Sequence, residues 1–125
     1  MKETIPGIAE ISMNSDYILR IIFLPKTDIK VEDAKKIVEV SSRVSAGKKH
    51  CNLVDTREML YMNNEARKYL AMQDKSTVSA IGVVIHSKFQ RSMANLYLKF
   101  SNPVIPTKMF DREEDAIDWL KSKMA

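Results

Sequence analysis

The sequence predicts an α/β domain, with a mixed, mostly parallel sheet flanked by helices in the order ββαβαβαβα. Three observations carry this prediction. Short apolar runs alternate with longer stretches of helical period along almost the whole chain. Residues 80–85 (AIGVVI) are apolar without interruption, as a strand covered on both faces must be. Only the first two strands are joined by a short polar turn. The later ones are separated by helices, which requires crossovers between parallel strands and leaves the helices packed on the sheet.

The elements follow in order. Residues 8–13 (IAEISM) alternate in character and residues 17–23 (YILRIIF) are apolar and β-branched, while Asn14, Ser15 and Asp16 between them are turn residues, so the pair reads as a hairpin. Pro25 closes the second strand. From Val31 the period changes: Ala34, Ile37, Val38, Ser41 and Val44 share one helical face, and Gly47 stands where a C-cap is expected. Residues 51–55 (CNLVD) form the next strand. A second helix opens at Asn63 or Asn64 as N-cap, with Glu65 favourable to the helix dipole and Ala66, Tyr69 and Leu70 inward. After strand 80–85 a third helix starts near Ser87, carries Phe89, Met93, Leu96, Tyr97 and Phe100 on one stripe, and stops at Asn102-Pro103. Residues 105–110 contain Pro106 and so fit only an edge strand. Asp111 and Glu114 have capping-box spacing before a terminal helix with Ala116, Ile117, Leu120 and Met124 inward.

A chain of 125 residues suits one domain, 1–125, large enough to bury a core without disulfides or metal. Its 45% hydrophobic and 29% charged residues are ordinary globular values. The apolar run 18–24 contains Arg20 and falls far short of the roughly 20 residues a membrane helix needs, so no membrane insertion is expected. The opening MKETIPG is followed by Glu10, Ser12, Asn14 and Asp16, where an export signal needs an apolar core. The single cysteine, Cys51, allows neither an internal disulfide nor a cysteine-based zinc cage and fits a reducing cytoplasm. A net charge of +4 raises the question of nucleic acid. However, Lys35, Lys36, Arg43, Lys48 and Lys49 are spread along one helix and its exit, Lys88, Arg91 and Lys99 along another, and no aromatics interleave with them. They read as solvated helix faces, and nucleic acid is not the expected partner.

The segments NLVDTR followed by NNEARKYLA, the strand AIGVVIHS running into a helix, and the closing IPTKMFDREEDAIDWL with its F-x-x-E-x-x-A-x-x-W-L pattern carry a family resemblance over nearly the whole chain. The sequence resembles the SpoIIAA-like (STAS-like) family of small bacterial cytoplasmic proteins named after the anti-sigma factor antagonist. The resemblance implies a STAS-like fold and a regulatory role through protein contacts. In the antagonists a serine of an Asp-Ser-Ser-Gly segment at the start of the helix is phosphorylated by the partner kinase. Here that segment falls on Asn63-Asn64-Glu65-Ala66, and asparagine accepts no phosphate, so the switch is not carried over.

Two candidate sites emerge. Asp55 and His86 fall at the C-terminal ends of their strands, where Arg57, Asn63 and Asn64 join them beside two helix N-termini, an edge suited to a polar ligand or a partner. The alternative is structural: Asp55 caps loop amides, Arg57 neutralises it, and His86 leads the third helix. Met59, Leu60, Tyr61 and Met62 are four consecutive apolar residues in a loop, which either folds back as a lid or presents a sticky surface. Asp55, Arg57, Met59, Leu60, Tyr61, Met62, Asn63, Asn64 and His86 therefore form the expected docking edge for a protein partner or a second copy of the chain. The second candidate is an apolar cleft between the second and third helices, made by Tyr69, Met72, Phe89, Met93 and Tyr97, for a small apolar or amphipathic, lipid-like ligand.

Catalytic chemistry finds little support. Cys51 and His86 belong near opposite ends of their strands, roughly 13 Å apart at strand rise, which disfavours a Cys-His pair. One histidine and one carboxylate do not make a metal site. No serine lies in a G-x-S-x-G elbow, and three glycines leave no phosphate-cradling loop, so an NTPase or α/β-hydrolase is excluded. The sequence thus predicts a non-enzymatic domain without metal, cofactor or catalytic residues. It is expected to act through protein contacts or, alternatively, as a carrier or sensor of a small apolar ligand.

Overall fold

The computed structural model describes residues 1–88, 90–92, 95, 99 and 104–124. Strands β1 (Lys2–Ile5), β2 (Ala9–Met13) and β3 (Ile18–Phe23) form an antiparallel meander. Two short strands, β4 (Asp28–Ile29) and β6 (Tyr61–Met62), pair with each other outside the main sheet. The remaining strands β5 (His50–Asp55), β7 (Val78–Val84) and β8 (Thr107–Phe110) add in parallel to β3, giving one six-stranded sheet in the order β1-β2-β3-β5-β7-β8. Helices α1 (Val31–Ser45) and α2 (Asn64–Ala71) and a C-terminal helix (Glu113–Met124) accompany it, and Lys88, Gln90, Arg91, Ser92, Asn95 and Lys99 are helical. Among the described residues no helix is long and apolar enough to cross a membrane. The mixed, mostly parallel α/β architecture is the one the sequence predicts.

Strand alternation sends neighbouring side chains to opposite faces. On one face Ile18, Cys51, Leu53, Ala80 and Val84 meet Ala116 and Leu120 of the C-terminal helix. Gly82 lies under that helix, and a Cβ built on it would stand 3.4 Å from the Leu120 side chain, so the absence of a side chain permits the close approach. On the other face Ile11, Leu19, Ile21 and Phe23 pack against Ala34, Ile37, Val40 and Val44 of α1, with Met62 and Ala66. Residues 80–84 of the apolar run lie in β7, which is paired on both sides and largely buried, and buried Ile85 follows directly after it.

Several local expectations change. The N-terminal segment, which carries no strand signal of its own, becomes edge strand β1 by pairing Lys2–Ile5 with β2. The second hairpin strand starts at Ile18, because Tyr17 turns the chain in a left-handed conformation (φ 58°). In α1, Val40 rather than Val38 joins the buried stripe. The left-handed exit begins at Ala46 (φ 54°), one residue before Gly47, with their amides donating to the Arg43 and Ser42 carbonyls. An alanine pays a steric cost in that region, so exposed Ala46→Gly is expected to raise stability by about 1 kcal/mol, measurable by urea denaturation. Tyr69 faces outward, with Lys35 Nζ 5.9 Å from its ring centre, because the short α2 buries Ala66 and Ala71 instead. Met124 is exposed at the last turn. The last helix begins at Glu113, and Asp111, instead of capping it, accepts a hydrogen bond from Arg91 Nη2 at 2.7 Å. Phe89, Met93, Leu96, Tyr97, Phe100 and Asn102-Pro103 lie outside the described residues.

Candidate functional site

An apolar concavity sits on the α1–α2 side of the sheet, and its floor follows from strand register. Ile21, Val54, Val83 and Met109 are successive cross-strand partners on β3, β5, β7 and β8, and all four line the cavity as one apolar row. Phe23, Thr56 and Ile85 continue the floor toward the C-terminal strand ends, while Ile81 and Thr107 continue it the other way. Leu70, Arg67 and Gln73 bound it from α2 and its exit, and Met59, Leu60, Tyr61 and Met62 form its rim. The volume is about 140 Å³. An apolar cavity of about 150 Å³ accommodates a benzene ring, which sets the scale of an occupant.

Local interactions shape this rim. Leu60 and Tyr61 donate their amides to the Thr27 carbonyl, and Tyr61–Met62 pair with β4, so the loop becomes a strand. Alternation within β6 buries Met62 and turns Tyr61 outward (40% exposed), while Leu60, just before the strand, is 67% exposed. The loop thus combines both expected behaviours: Met59 and Met62 fold onto the core, and Leu60 and Tyr61 remain at the surface. The Arg67 guanidinium lies 5.3 Å from the Tyr61 ring centre, a cation–π distance. Asn63 is the α2 N-cap, with Oδ1 accepting from the Ala66 amide at 2.9 Å, whereas exposed Asn64 accepts from Arg67 Nη1. Replacing Asn63 by alanine orphans that amide and should lower stability by about 1 kcal/mol in a denaturant titration.

At the strand ends Asp55, Arg57, Glu58 and His86 share a shallow polar cleft. Asp55 is committed there: Oδ1 accepts from the Arg57 amide and Nε, and Oδ2 accepts from Arg57 Nη2 at 2.7 Å. Burial alone raises the Asp55 pKa, but the Arg57 hydrogen bonds outweigh it and hold the carboxyl below its ordinary value of 3.8. A folded-state pKa below the unfolded one adds stability at pH above the ordinary carboxylate value, and that increment is lost as pH falls through the folded pKa. Arg57 is partly solvated, so the pair contributes only about 1 kcal/mol. Asp55→Asn should therefore flatten the acid limb of the stability–pH profile below about pH 4 and cost about that amount at pH 7. Exposed His86 donates its backbone amide to Gln90 Oε1, and Gln90 Nε2 in turn donates to the Thr56 carbonyl at 2.8 Å, tying the start of the third helical segment to the β5 exit. Ser87 Oγ accepts from the Gln90 amide in the manner of an N-cap.

The strand-end residues and the Met59–Tyr61 rim are thus adjacent in the fold, but the apolar cavity differs from the cleft expected between two helices. Met72 is 80% exposed and Tyr69 faces solvent, and neither lines it. Phe89, Met93 and Tyr97 lie outside the described residues. Sequence reasoning missed Asn52, Gln73, Gln90, Arg67 and Thr107. The one available signal was an asparagine inside the otherwise apolar strand CNLV. Cys51 is fully buried on the opposite face, where desolvation pushes its thiol pKa up. Among the described residues no group of three or more His, Cys, Asp or Glu side chains could hold a metal ion.

A family model described as "Domain of unknown function (DUF7793)" matches residues 11–124. Among solved structures, an uncharacterized protein of the DUF3478 family from Shewanella loihica PV-4, described as having a SpoIIAA-like fold, is similar with a TM-score of 0.64 and 19% identity, covering 96% of this chain and 98% of that one. A protein of unknown function from Arthrobacter sp. FB24 aligns at 24% identity and a TM-score of 0.35, covering 88% of this chain and 96% of that one. No curated protein matches the sequence. The likeness to the Shewanella protein identifies the fold as SpoIIAA-like.

Proposed function

Because the chain belongs to the family of the domain of unknown function DUF7793, and a shared fold assigns no activity, its function is read from its own site: we propose a non-catalytic binding domain that holds one small apolar or amphipathic molecule. The observation that carries this reading is the unbroken apolar row Ile21–Val54–Val83–Met109 beneath a cavity of about 140 Å³. A few polar groups at an apolar pocket's edge, here Arg67, Gln73 and Gln90, are the usual means of orienting such a ligand. The engagement of both Asp55 carboxylate oxygens by Arg57 supports a structural rather than a catalytic role for the polar cleft. We take residues 1–125 as one domain, working in the cytoplasm as its lone buried cysteine suggests.

The test is direct. Thermal unfolding in the presence of toluene, phenol, indole and a short-chain alcohol should show a midpoint that rises with concentration for at least one compound. Native mass spectrometry of freshly purified protein should show whether a small molecule travels with it. No shift with any compound and no bound mass would overturn the proposal.

A second reading is favoured by one specific feature, the exposed Leu60–Tyr61 pair at the cavity rim. Such a patch suits a regulatory contact with a protein or a second copy of the chain. Tyr61→Asp should then weaken any association detected by native mass spectrometry. Associations left unchanged by it would dismiss that surface.

A further inference from the structure

Resting on the cavity reading above, we propose that the occupant is a small carboxylic acid with an apolar body of about one ring, and that Arg67 holds its carboxylate at the cavity rim. Of the described residues that line the cavity, Arg67 alone carries a charge. It is half-buried on α2. Its guanidinium lies 5.3 Å from the ring centre of Tyr61, another lining residue, which places the charge at the mouth of the apolar space.

Every other arginine of the chain, Arg20, Arg43, Arg57, Arg91 and Arg112, pairs with an Asp or Glu. Among the described residues Arg67 has no such partner: Nη1 donates to the neutral Asn64 Oδ1 at 3.3 Å, and Nε and Nη2 have no acceptor. The carboxylates nearest in sequence to the Met59–Met62 rim on its β5 side are engaged elsewhere, Asp55 by Arg57 and Glu58 along the polar cleft. The Nε–Nη2 edge is the side of a guanidinium that takes both oxygens of a carboxylate in parallel. Arg57 uses that edge on Asp55, and Arg43 uses it on Glu3. At Arg67 the same edge stands beside low-dielectric walls, where water screens its charge less. An inorganic anion would satisfy the guanidinium and leave the apolar row bare, and a hydrocarbon would do the reverse. A ring carrying a carboxylate meets both, with its body over Ile21, Val54, Val83 and Met109.

Benzoate, benzamide and benzamidine share one shape and are negative, neutral and positive at pH 7, and toluene reports on the cavity alone. Their dissociation constants are measured by NMR titration on the intact chain, with wild type, Arg67→Met, Arg67→Lys and Lys68→Met. Lys68 is exposed on the same helix and does not line the cavity, so its substitution removes an equal charge from outside the site. The wild type should bind benzoate about tenfold more tightly than benzamide, the margin of a charge-assisted over a neutral hydrogen bond, and benzamidine most weakly. Arg67→Met should abolish the preference for benzoate, Arg67→Lys should keep part of it, having the charge without the fork, and Lys68→Met should keep all of it. Resonances of Ile21, Val54 and Val83 should move with benzoate, as a ring over the apolar row requires. The carboxylate proposal is overturned if benzoate binds no more tightly than benzamide, if its preference survives Arg67→Met or falls equally in Lys68→Met, or if those resonances stay unmoved. Toluene then separates the two ideas: its binding at the same residues keeps the cavity reading, and its failure to bind takes that reading down as well.

Discussion

Phe23→Ala is expected to lower unfolding stability by about 3–5 kcal/mol, and part of that loss should be recoverable with a small aromatic compound. Phe23 is almost fully buried, packs in the core formed with α1, and lines the cavity. Truncation removes its apolar area and leaves a void that the paired strands β2 and β3 cannot readily close, because their backbones are held by ladder hydrogen bonds. That void joins a concavity already present. An apolar molecule filling it binds only the folded state, so stability should rise with its concentration, by about 2.7 kcal/mol at a hundred times its dissociation constant. Urea titrations with and without toluene measure both quantities. A variant that is destabilised yet indifferent to every small aromatic would show that Phe23 does not border ligand-accessible space.

The second large effect comes from the opposite face. Leu120→Ala should cost about 2–5 kcal/mol, with no recovery by the same compounds. Leu120 is fully buried and brings the C-terminal helix onto the sheet, lying 3.4 Å from the Cβ position of Gly82 and packing with Ala116, Ala80 and Val84. No larger side chain at Gly82, Ala80 or Ala116 is available to fill the space it leaves. The sheet separates this cluster from the cavity, which makes Leu120→Ala the control for Phe23→Ala. Equal rescue of the two variants would indicate a ligand effect unrelated to the cavity.

Legibility in the sequence depended on the range of the interaction concerned. The α2 cap, narrowed to Asn63 or Asn64 and found at Asn63, and the edge position of the strand after Pro106 were legible because one side chain and its near neighbours decide them. The burial of the strand that holds residues 80–84 was legible because an unbroken apolar run has few other homes. Strand β1 was not, because Lys2–Ile5 acquires its conformation by pairing with β2. Nor was the β4–β6 pairing, since two-residue strands lack any periodicity to detect. Tyr69 was placed inward on helical spacing alone, but α2 is short and tilts its alanines to the core.

By itself the sequence determined the alternation of the longer strands with helices from β2 onward, the mostly parallel sheet and the strand-end setting of Asp55 and His86. These follow from short-range sterics and from the period with which apolar residues recur, both written locally along the chain. Only the tertiary structure decided that Ile21, Val54, Val83 and Met109 align under a cavity, and that Asn52 reaches Gln73 beside it. Those facts depend on the register between strands far apart in sequence, where a shift of one residue would turn every side chain to the other face.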